Sequence, residues 1–320
     1  MSQLPPFLET LDRQLPGQPS TQPAEYINSL FRHKRVPSVS HALWWPSKGQ
    51  SKNCLIFVTG NPGLIDFYTP FLTAIHVKAK GNVNILGHAL VGHTPGLEDH
   101  ATQPSSTPAA AQVDAVIEIV DAVRVHYDNL TIAAHSFGAW VALQALKARP
   151  GSISSVLLLF PSISHIADTP NGHKLSRLFN PPIPTILSCL SVLLRLLPMR
   201  MMSAVYRDWP TAQLQVLRGF LDSRTCVYNS LNLAHDEMRT IKELDVSLVQ
   251  QYRHRIHLYF GDDDDWVGKQ REAILQAFDA DEDNVRIFHG HPDIPHAFCI
   301  NHGEQVAEQC YQWLQSAEFI

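Results

Sequence analysis

The chain has 320 residues, 45% of them hydrophobic and 17% charged, with a formal net charge of −5 and a pI near 6.4. Such a length and apolar content suit one large core with an inserted subdomain, and the acidic balance leaves no basic footprint for a nucleic-acid partner. The five cysteines (Cys54, Cys189, Cys226, Cys299 and Cys310) form no CxxC pair, which points to free thiols in a reducing compartment rather than to a disulfide frame or a zinc site.

Residues 1–24 are rich in Pro and Gln and read as a poorly ordered lead-in; their first ten, MSQLPPFLET, have neither the basic nor the apolar region of a secretory signal. Apolar runs over 26–45, broken by Arg32-His33-Lys34-Arg35, predict a peripheral hairpin. Residues 54–59 (CLIFVT) are a continuous apolar run, expected of a strand covered on both faces, and they end in Gly60-Asn61-Pro62-Gly63. A helix follows over 66–80, with Phe67, Phe71, Ile75 and Ala79 on one face. Residues 83–86 predict a strand, 88–108 a long loop and 113–127 an amphipathic helix.

Residues 129–135 (NLTIAAH) read as a β-branched strand running straight into a helix over 138–148, with Ser136 at the corner. A further buried strand covers 155–160. This β-α-β-α-β alternation predicts an α/β fold with a mostly parallel, doubly wound sheet, whose strand-to-helix turns gather at the carboxyl edge. The rhythm breaks at Pro161 and resumes with a strand over 255–260, a helix over 267–278, a strand over 284–288 and a closing helix over 302–313. The insert is too long for a loop. The predicted organisation is a core of 25–161 and 254–320 with a helical cap of 162–253 over the carboxyl edge.

Ala134-His135-Ser136-Phe137-Gly138 is a one-substitution variant of the G-x-S-x-G nucleophile elbow. A serine in front of a helix also suits a plain N-cap, so the pattern needs partners. In this fold the acid follows the strand after the insert, where Gly261-Asp262-Asp263-Asp264-Asp265-Trp266 stands. Spacing alone does not choose among the four aspartates, and the run lacks the EF-hand glycine and terminal Glu of a calcium loop. The base belongs after the last strand. His289 and His291 lie at the strand end, whereas His296 lies on the loop before the final helix and is the leading candidate; His302 stands just beyond. The oxyanion donors are expected to be the N–H groups of Phe137 and Asn61, because Pro62 has none. His135 reads as pocket wall, and His88 and His93 as lesser candidates to line the acyl site. No metal and no cofactor are expected.

With these residues located, residues 59–68 (TGNPGLIDFY) resemble the P-G-N-P-G-x-x-x-F-Y segment of the lipid-droplet-associated hydrolases, a branch of the α/β-hydrolase superfamily. Residues 134–138, 159–163 (LFPSI) with 169–172 (TPNG), 233–238 (LAHDEM) and 295–299 (PHAFC) agree. The resemblance covers about 55–302. It implies an α/β-hydrolase fold and a serine hydrolase cleaving ester lipids such as sterol esters or acylglycerols, at lipid droplets and the cytosolic face of the endoplasmic reticulum. It also implies a triad of Ser136, Asp264 and His296, because the family's G-x-x-D-x-W pattern aligns Gly261 and Trp266; the extra aspartates leave Asp263 and Asp265 as alternatives. An acyltransferase would use the same residues, and a droplet tethering or clustering protein would keep the fold with little turnover.

Residues 183–202 lie in the most apolar window of the chain. Its stretch between Pro184 and Pro198 is too short to cross a bilayer and is interrupted by Arg195. It predicts either a buried cap helix or a monotopic segment inserted in a phospholipid monolayer, with Arg195, Arg200 and Arg207 at the head groups.

Overall fold

The computed structural model describes residues 4–18, 25–36, 38–98, 108–278 and 286–320. Nine strands form its sheet: β1 (Glu9–Thr10), β2 (Ile27–Arg32), β3 (Val39–Trp45), β4 (Asn53–Val58), β5 (Asn84–His88), β6 (Asn129–His135), β7 (Ser155–Leu159), β8 (Ile256–Phe260) and β9 (Ile287–His289). They are hydrogen-bonded in the order β1-β2-β3-β5-β4-β6-β7-β8-β9. The first three are antiparallel, as are β3 and β5, and every pair from β5 to β9 is parallel.

The alternation of side chains along each parallel strand builds two cores. Ile56 and Val58 of β4, Ile132 of β6, Val156 of β7 and Leu258 of β8 face one layer with α2 (Pro108–Arg124) and α3 (Phe137–Ala148). Leu55 and Phe57, Leu157 and Leu159, and Tyr259 face the other, with α1 (Thr69–Lys78) and α11 (Gly303–Ser316). Both faces are covered, which is why these strands read as unbroken apolar runs. Each fully buried side chain of this kind is worth roughly 1.5–3 kcal/mol.

Between β7 and β8 the chain forms only helices: α4 (Pro170–Leu175), α5 (Ile183–Ser191), α6 (Met199–Val205), α7 (Thr211–Asp222), α8 (Arg224–Thr240) and α9 (Val246–Tyr252), joined by short 3-10 turns. The core then closes with α10 (Gln270–Ala277) and α11. The inserted helices dock on loops that follow strand carboxyl ends. Asn61, after β4, donates its side-chain amide to Ser230 O and Glu237 Oε1 of α8, each at 2.9 Å. Asn229 Nδ2 donates to Gly92 O, after β5, at 2.6 Å.

The structure corrects the reading of three stretches. Of the expected disordered lead-in, residues 4–18 pack: Leu8 and Leu15 are buried, and Glu9 and Thr10 pair with Leu30 and Ser29; residues 1–3 and 19–24 lie outside the described residues. The hairpin is peripheral only at β2, because every residue of β3 is buried between β2 and β5. His88 is the last residue of β5, not the start of a loop, and its Nε2 meets Ser40 Oγ at 2.8 Å, inside the sheet.

Candidate active site

Ser136 stands between β6 and α3 with φ 53° and ψ −120°. A non-glycine residue in that region stores about 1–3 kcal/mol of strain, which only a tightly determined corner retains. The corner is made tight by its neighbours: a Cβ on Gly138 would stand 2.6 Å from Thr59 O and 2.7 Å from Val58 O. A Cβ on Gly60 would meet Ser136 Cβ at 2.9 Å. The oxyanion turn and the nucleophile corner therefore touch through glycine. The Ser136 hydroxyl makes no capping bond to α3, so the N-cap reading of this serine falls.

The hydroxyl is engaged elsewhere. Ser136 Oγ lies 2.8 Å from His296 Nε2, and His296 Nδ1 lies 2.9 and 2.8 Å from Asp264 Oδ1 and Oδ2. A carboxylate accepts from Nδ1–H, which leaves the Nε2 lone pair to accept the Ser136 proton. Asp264 is 8% exposed, and Asp262, Asp263 and Asp265 around it are exposed to solvent. A turn fixes it, with Trp266 N–H donating to Oδ1 at 2.9 Å and Gly268 N–H to its carbonyl at 2.7 Å. His289 is drawn to Arg271, and His291 pairs with Asp293 at 3.2 Å. Neither of them, nor His302, meets the serine in a hydrogen bond.

Two groups missed by sequence reasoning complete the floor. Ser162, following β7, is 2% exposed, and its Oγ lies 3.3 Å from Ser136 Oγ. Since the Ser136 proton goes to His296, Ser162 is the donor of that bond. Tyr68 O–H lies 2.7 Å from His135 Nδ1 and accepts Gly60 N–H at 3.3 Å. His135 Nε2 in turn faces the backbone carbonyl of His296 at 2.9 Å. A carbonyl can only accept, so His135 carries its proton on Nε2 and takes the Tyr68 proton at Nδ1. Burial holds its pKa well below the usual value and keeps the ring neutral. His135 is thus an anchor for the loop that bears His296. Its adjacency to Ser136 was visible in the sequence; its bond across 161 residues was not.

The turn Gly60-Asn61-Pro62-Gly63 is closed by Gly63 N–H donating to Gly60 O at 2.8 Å. Beyond the bonds from Asn61 to α8, His93 Nδ1 meets Pro62 O at 2.9 Å and Ser230 Oγ at 3.2 Å. His93 therefore braces the turn rather than lining an acyl site. Phe137 N–H, the other expected oxyanion donor, opens α3, where the helix dipole favours negative charge. Glu237 is 5% exposed, and burial pushes its pKa up to about 8. Among the described residues no cluster of three His, Cys, Asp or Glu side chains could hold a metal ion.

A mostly parallel sheet bearing a serine on a strained strand-to-helix corner, with a helical insert before the last strands, is the α/β-hydrolase fold. Solved structures share it. A bacterial membrane phospholipase A superposes with a TM-score of 0.64 at 13% identity, over 92% of this chain and 87% of that one. A carboxylesterase of Nitrososphaera gargenis does so at 0.61 and 14%, over 90% and 98%. Within that fold, residues 51–299 match the family model of the lipid-droplet associated hydrolases, and the chain belongs to that family. Relatives named lipid droplet-associated hydrolase include those of Homo sapiens (24% identical, over 80% of this chain and 83% of the relative) and Drosophila melanogaster (25%, over 88% and 94%).

Proposed function

We propose that the protein hydrolyses carboxylic ester bonds of neutral lipids, sterol esters or acylglycerols, at the surface of lipid droplets and the cytosolic face of the endoplasmic reticulum. The observation that carries the reading is the unbroken line from Asp264 through His296 to Ser136. His296 Nε2 removes the Ser136 proton as Oγ attacks the ester carbonyl, while the Asp264 carboxylate holds the ring and steadies its charged form. The Asn61 and Phe137 N–H groups receive the oxyanion. His296 then protonates the leaving alcohol, and water repeats the cycle on the acyl-enzyme.

The surface reading rests on α5 and the turn that follows it. Pro184, Ser188 and Ser191 are its buried residues, whereas Ile186, Leu190, Leu193 and Leu196 face outward at 51%, 51%, 60% and 81% exposure. The buried serines need nothing from the rest of the protein: Ser188 Oγ donates to Thr185 O and Ser191 Oγ to Ser188 O, each at 2.9 Å. Met201 and Val205 of α6 extend the patch at 54% and 75% exposure, and Arg200 and Arg207 are exposed beside it. Arg195 is held by Asp222 O. Among the described residues no single helix is long and apolar enough to cross a membrane, though Pro170–Phe179 and Ile183–Leu196, bent by 82°, pass that test as a pair; the outward apolar side chains of α5 fit insertion into a monolayer surface.

A fluorophosphonate probe should label the wild type and not Ser136→Ala; equal labelling sinks the nucleophile. Incubating whole lipid extracts with the two proteins names the substrate by what only the wild type consumes. An ester product built on an added alcohol would mark acyl transfer instead. A cellular droplet effect that survives Ser136→Ala would mark a tether.

A further inference from the structure

The inserted helix α8 holds the oxyanion turn through the side-chain amide of Asn61 and through Ser230 Oγ, which donates to Pro62 O at 3.4 Å. Asn61 Nδ2 donates to two acceptors on α8, Ser230 O and Glu237 Oε1, at 2.9 Å each. Ser230 and Glu237 are seven residues apart and lie two turns along one face of that helix. The helix is itself fixed at this point. Asp236 Oδ2 accepts Ala109 N–H of α2 at 2.9 Å, and Ser230 Oγ lies 3.2 Å from His93 Nδ1, whose ring meets Pro62 O. Both ends of the Gly60–Gly63 turn are referred to structure outside it: Gly60 N–H to Tyr68 and Asn61 to α8 at one end, and Gly63 O to Leu90 N–H at 3.0 Å at the other.

The mechanism above uses the Asn61 main chain and leaves Glu237 unexplained. A carboxyl group buried against an amide is costly as an anion and cheap as an acid. The groups that bear on its charge state are few. The Asn61 amide favours the ion, the carboxylate of Asp236 on the same helix disfavours it, and burial outweighs both. His93, the ring that faces the same turn from the β5 loop, is held neutral by burial.

We propose that Glu237 is a positioning residue that fixes the Asn61 main chain in oxyanion-binding geometry, so that the inserted cap helix α8 sets the catalytic competence of the core. This rests on the reading of Ser136 as nucleophile and of Asn61 as oxyanion donor. Its consequence is that whatever moves α8 switches turnover without touching the Ser136–His296–Asp264 line. The acid form holds Asn61 without placing a charge in the core. The anion brings an uncompensated charge to the same spot and draws water toward the turn. Because an oxyanion donor acts on the transition state more than on the bound ester, its loss shows in kcat and not in KM.

The test is a pH series of kcat and KM for full-length protein on a short, water-soluble p-nitrophenyl ester, with wild type, Glu237→Gln, Glu237→Leu and Ser136→Ala. The wild type should lose kcat as pH rises through about 8, where Glu237 ionises. Glu237→Leu, which keeps the bulk and removes the acceptor, should lower kcat by roughly tenfold or more at every pH with KM within about twofold. Glu237→Gln keeps an acceptor for Asn61 and cannot ionise. It should restore most of the kcat lost in Glu237→Leu and abolish the alkaline fall. If Glu237→Leu matched the wild type in kcat, or if Glu237→Gln kept the alkaline fall, the positioning role is overturned while the nucleophile stands. Turnover by Ser136→Ala equal to wild type would overturn the catalytic reading itself, whatever the Glu237 variants do. Circular dichroism of each variant at pH 7 separates loss of fold from loss of geometry, and Glu237→Gln, the nearly isosteric change, still decides the case if Glu237→Leu does not fold.

Discussion

At the elbow, Ser136 keeps its hydroxyl out of the helix below it and gives its proton to His296, whereas in α5 Ser188 and Ser191 turn theirs back on carbonyls of their own helix. The same side chain does opposite work because the two regions solve opposite problems. In the core the polar side chains of the candidate site are aimed by partners elsewhere in the fold: Asp264 by Trp266 N–H, His135 by Tyr68, Asn61 by α8. On the outer cap the polar atoms are silenced locally, so small residues pack inward and large apolar ones are left outside. On the function proposed above, precision belongs to the first region and adhesion to the second. The two should therefore fail separately when mutated.

The largest effect should come from Ser136→Ala, about 10⁶-fold in kcat on a soluble ester, with droplet or vesicle association unchanged. Next comes Asp264→Asn, at about 10⁴-fold, since the amide no longer enforces the tautomer with Nδ1 protonated. Asp263→Asn and Asp265→Asn, on exposed carboxylates, should stay within about twofold. Parallel kinetics on the three asparagine variants settle the comparison among neighbouring aspartates. A loss in Asp263→Asn equal to that in Asp264→Asn would break it.

Buried polar groups across the fold should also show in the pH dependence of stability. Burial holds His33, His93 and His257 each down to about 4, against 6.5 for an exposed ring. Below pH 6.5 the unfolded chain binds protons that the native state refuses, so stability is full above that value and falls as pH drops toward 4. Each ring contributes up to about 3 kcal/mol across the window. Glu237 acts with the opposite sign. Its folded value of about 8 lies above the ordinary 4.5, so its contribution is full below 4.5 and is lost as pH rises through 8. Three histidines outweigh one glutamate, and urea midpoints should fall from pH 7 to pH 5. Replacing Glu237 by Gln should raise the midpoint at pH 9 and steepen the fall from pH 7 to pH 5, because the opposing contribution of the glutamate spans that range. A midpoint that stayed flat down to pH 5 would contradict buried neutral rings.

The order of strands and the order Ser, Asp, His were legible because both are carried by local signals: alternation within a strand, and the place of a loop after it. The choice of Asp264 was not. Four chemically identical neighbours differ only in which one the turn at Gly268 folds inward, and the family pattern, not the spacing, pointed to it. Proline and glutamine masked the buried Leu8 and Leu15, whose partners lie far along the chain; a Cβ on Gly96, for one, would stand 3.5 Å from Leu15 Cδ2. Glu237 was invisible for the same reason, standing 176 residues from Asn61. The exposed face of α5 was illegible in a different way. Apolar residues predict an inward face unless the serines between them satisfy themselves, and whether they do is a property of side-chain geometry.

That last point supplies the smallest and most selective test. Replacing Leu190 and Leu193 by Ser removes apolar area that is already outside the protein, so unfolding midpoint and soluble-ester kcat should not move. If those side chains enter a lipid phase, full burial of each would be worth roughly 1.5–3 kcal/mol, and partial insertion at the head-group boundary less. The expected result is a loss of about tenfold per residue in partition onto triacylglycerol emulsions coated with phospholipid, read by flotation. Turnover of emulsified ester should fall in step with binding and not beyond it. A drop in thermal stability instead would mean that the face is covered in the native protein, and the division between a precise core and an adhesive cap would have to be redrawn at α5.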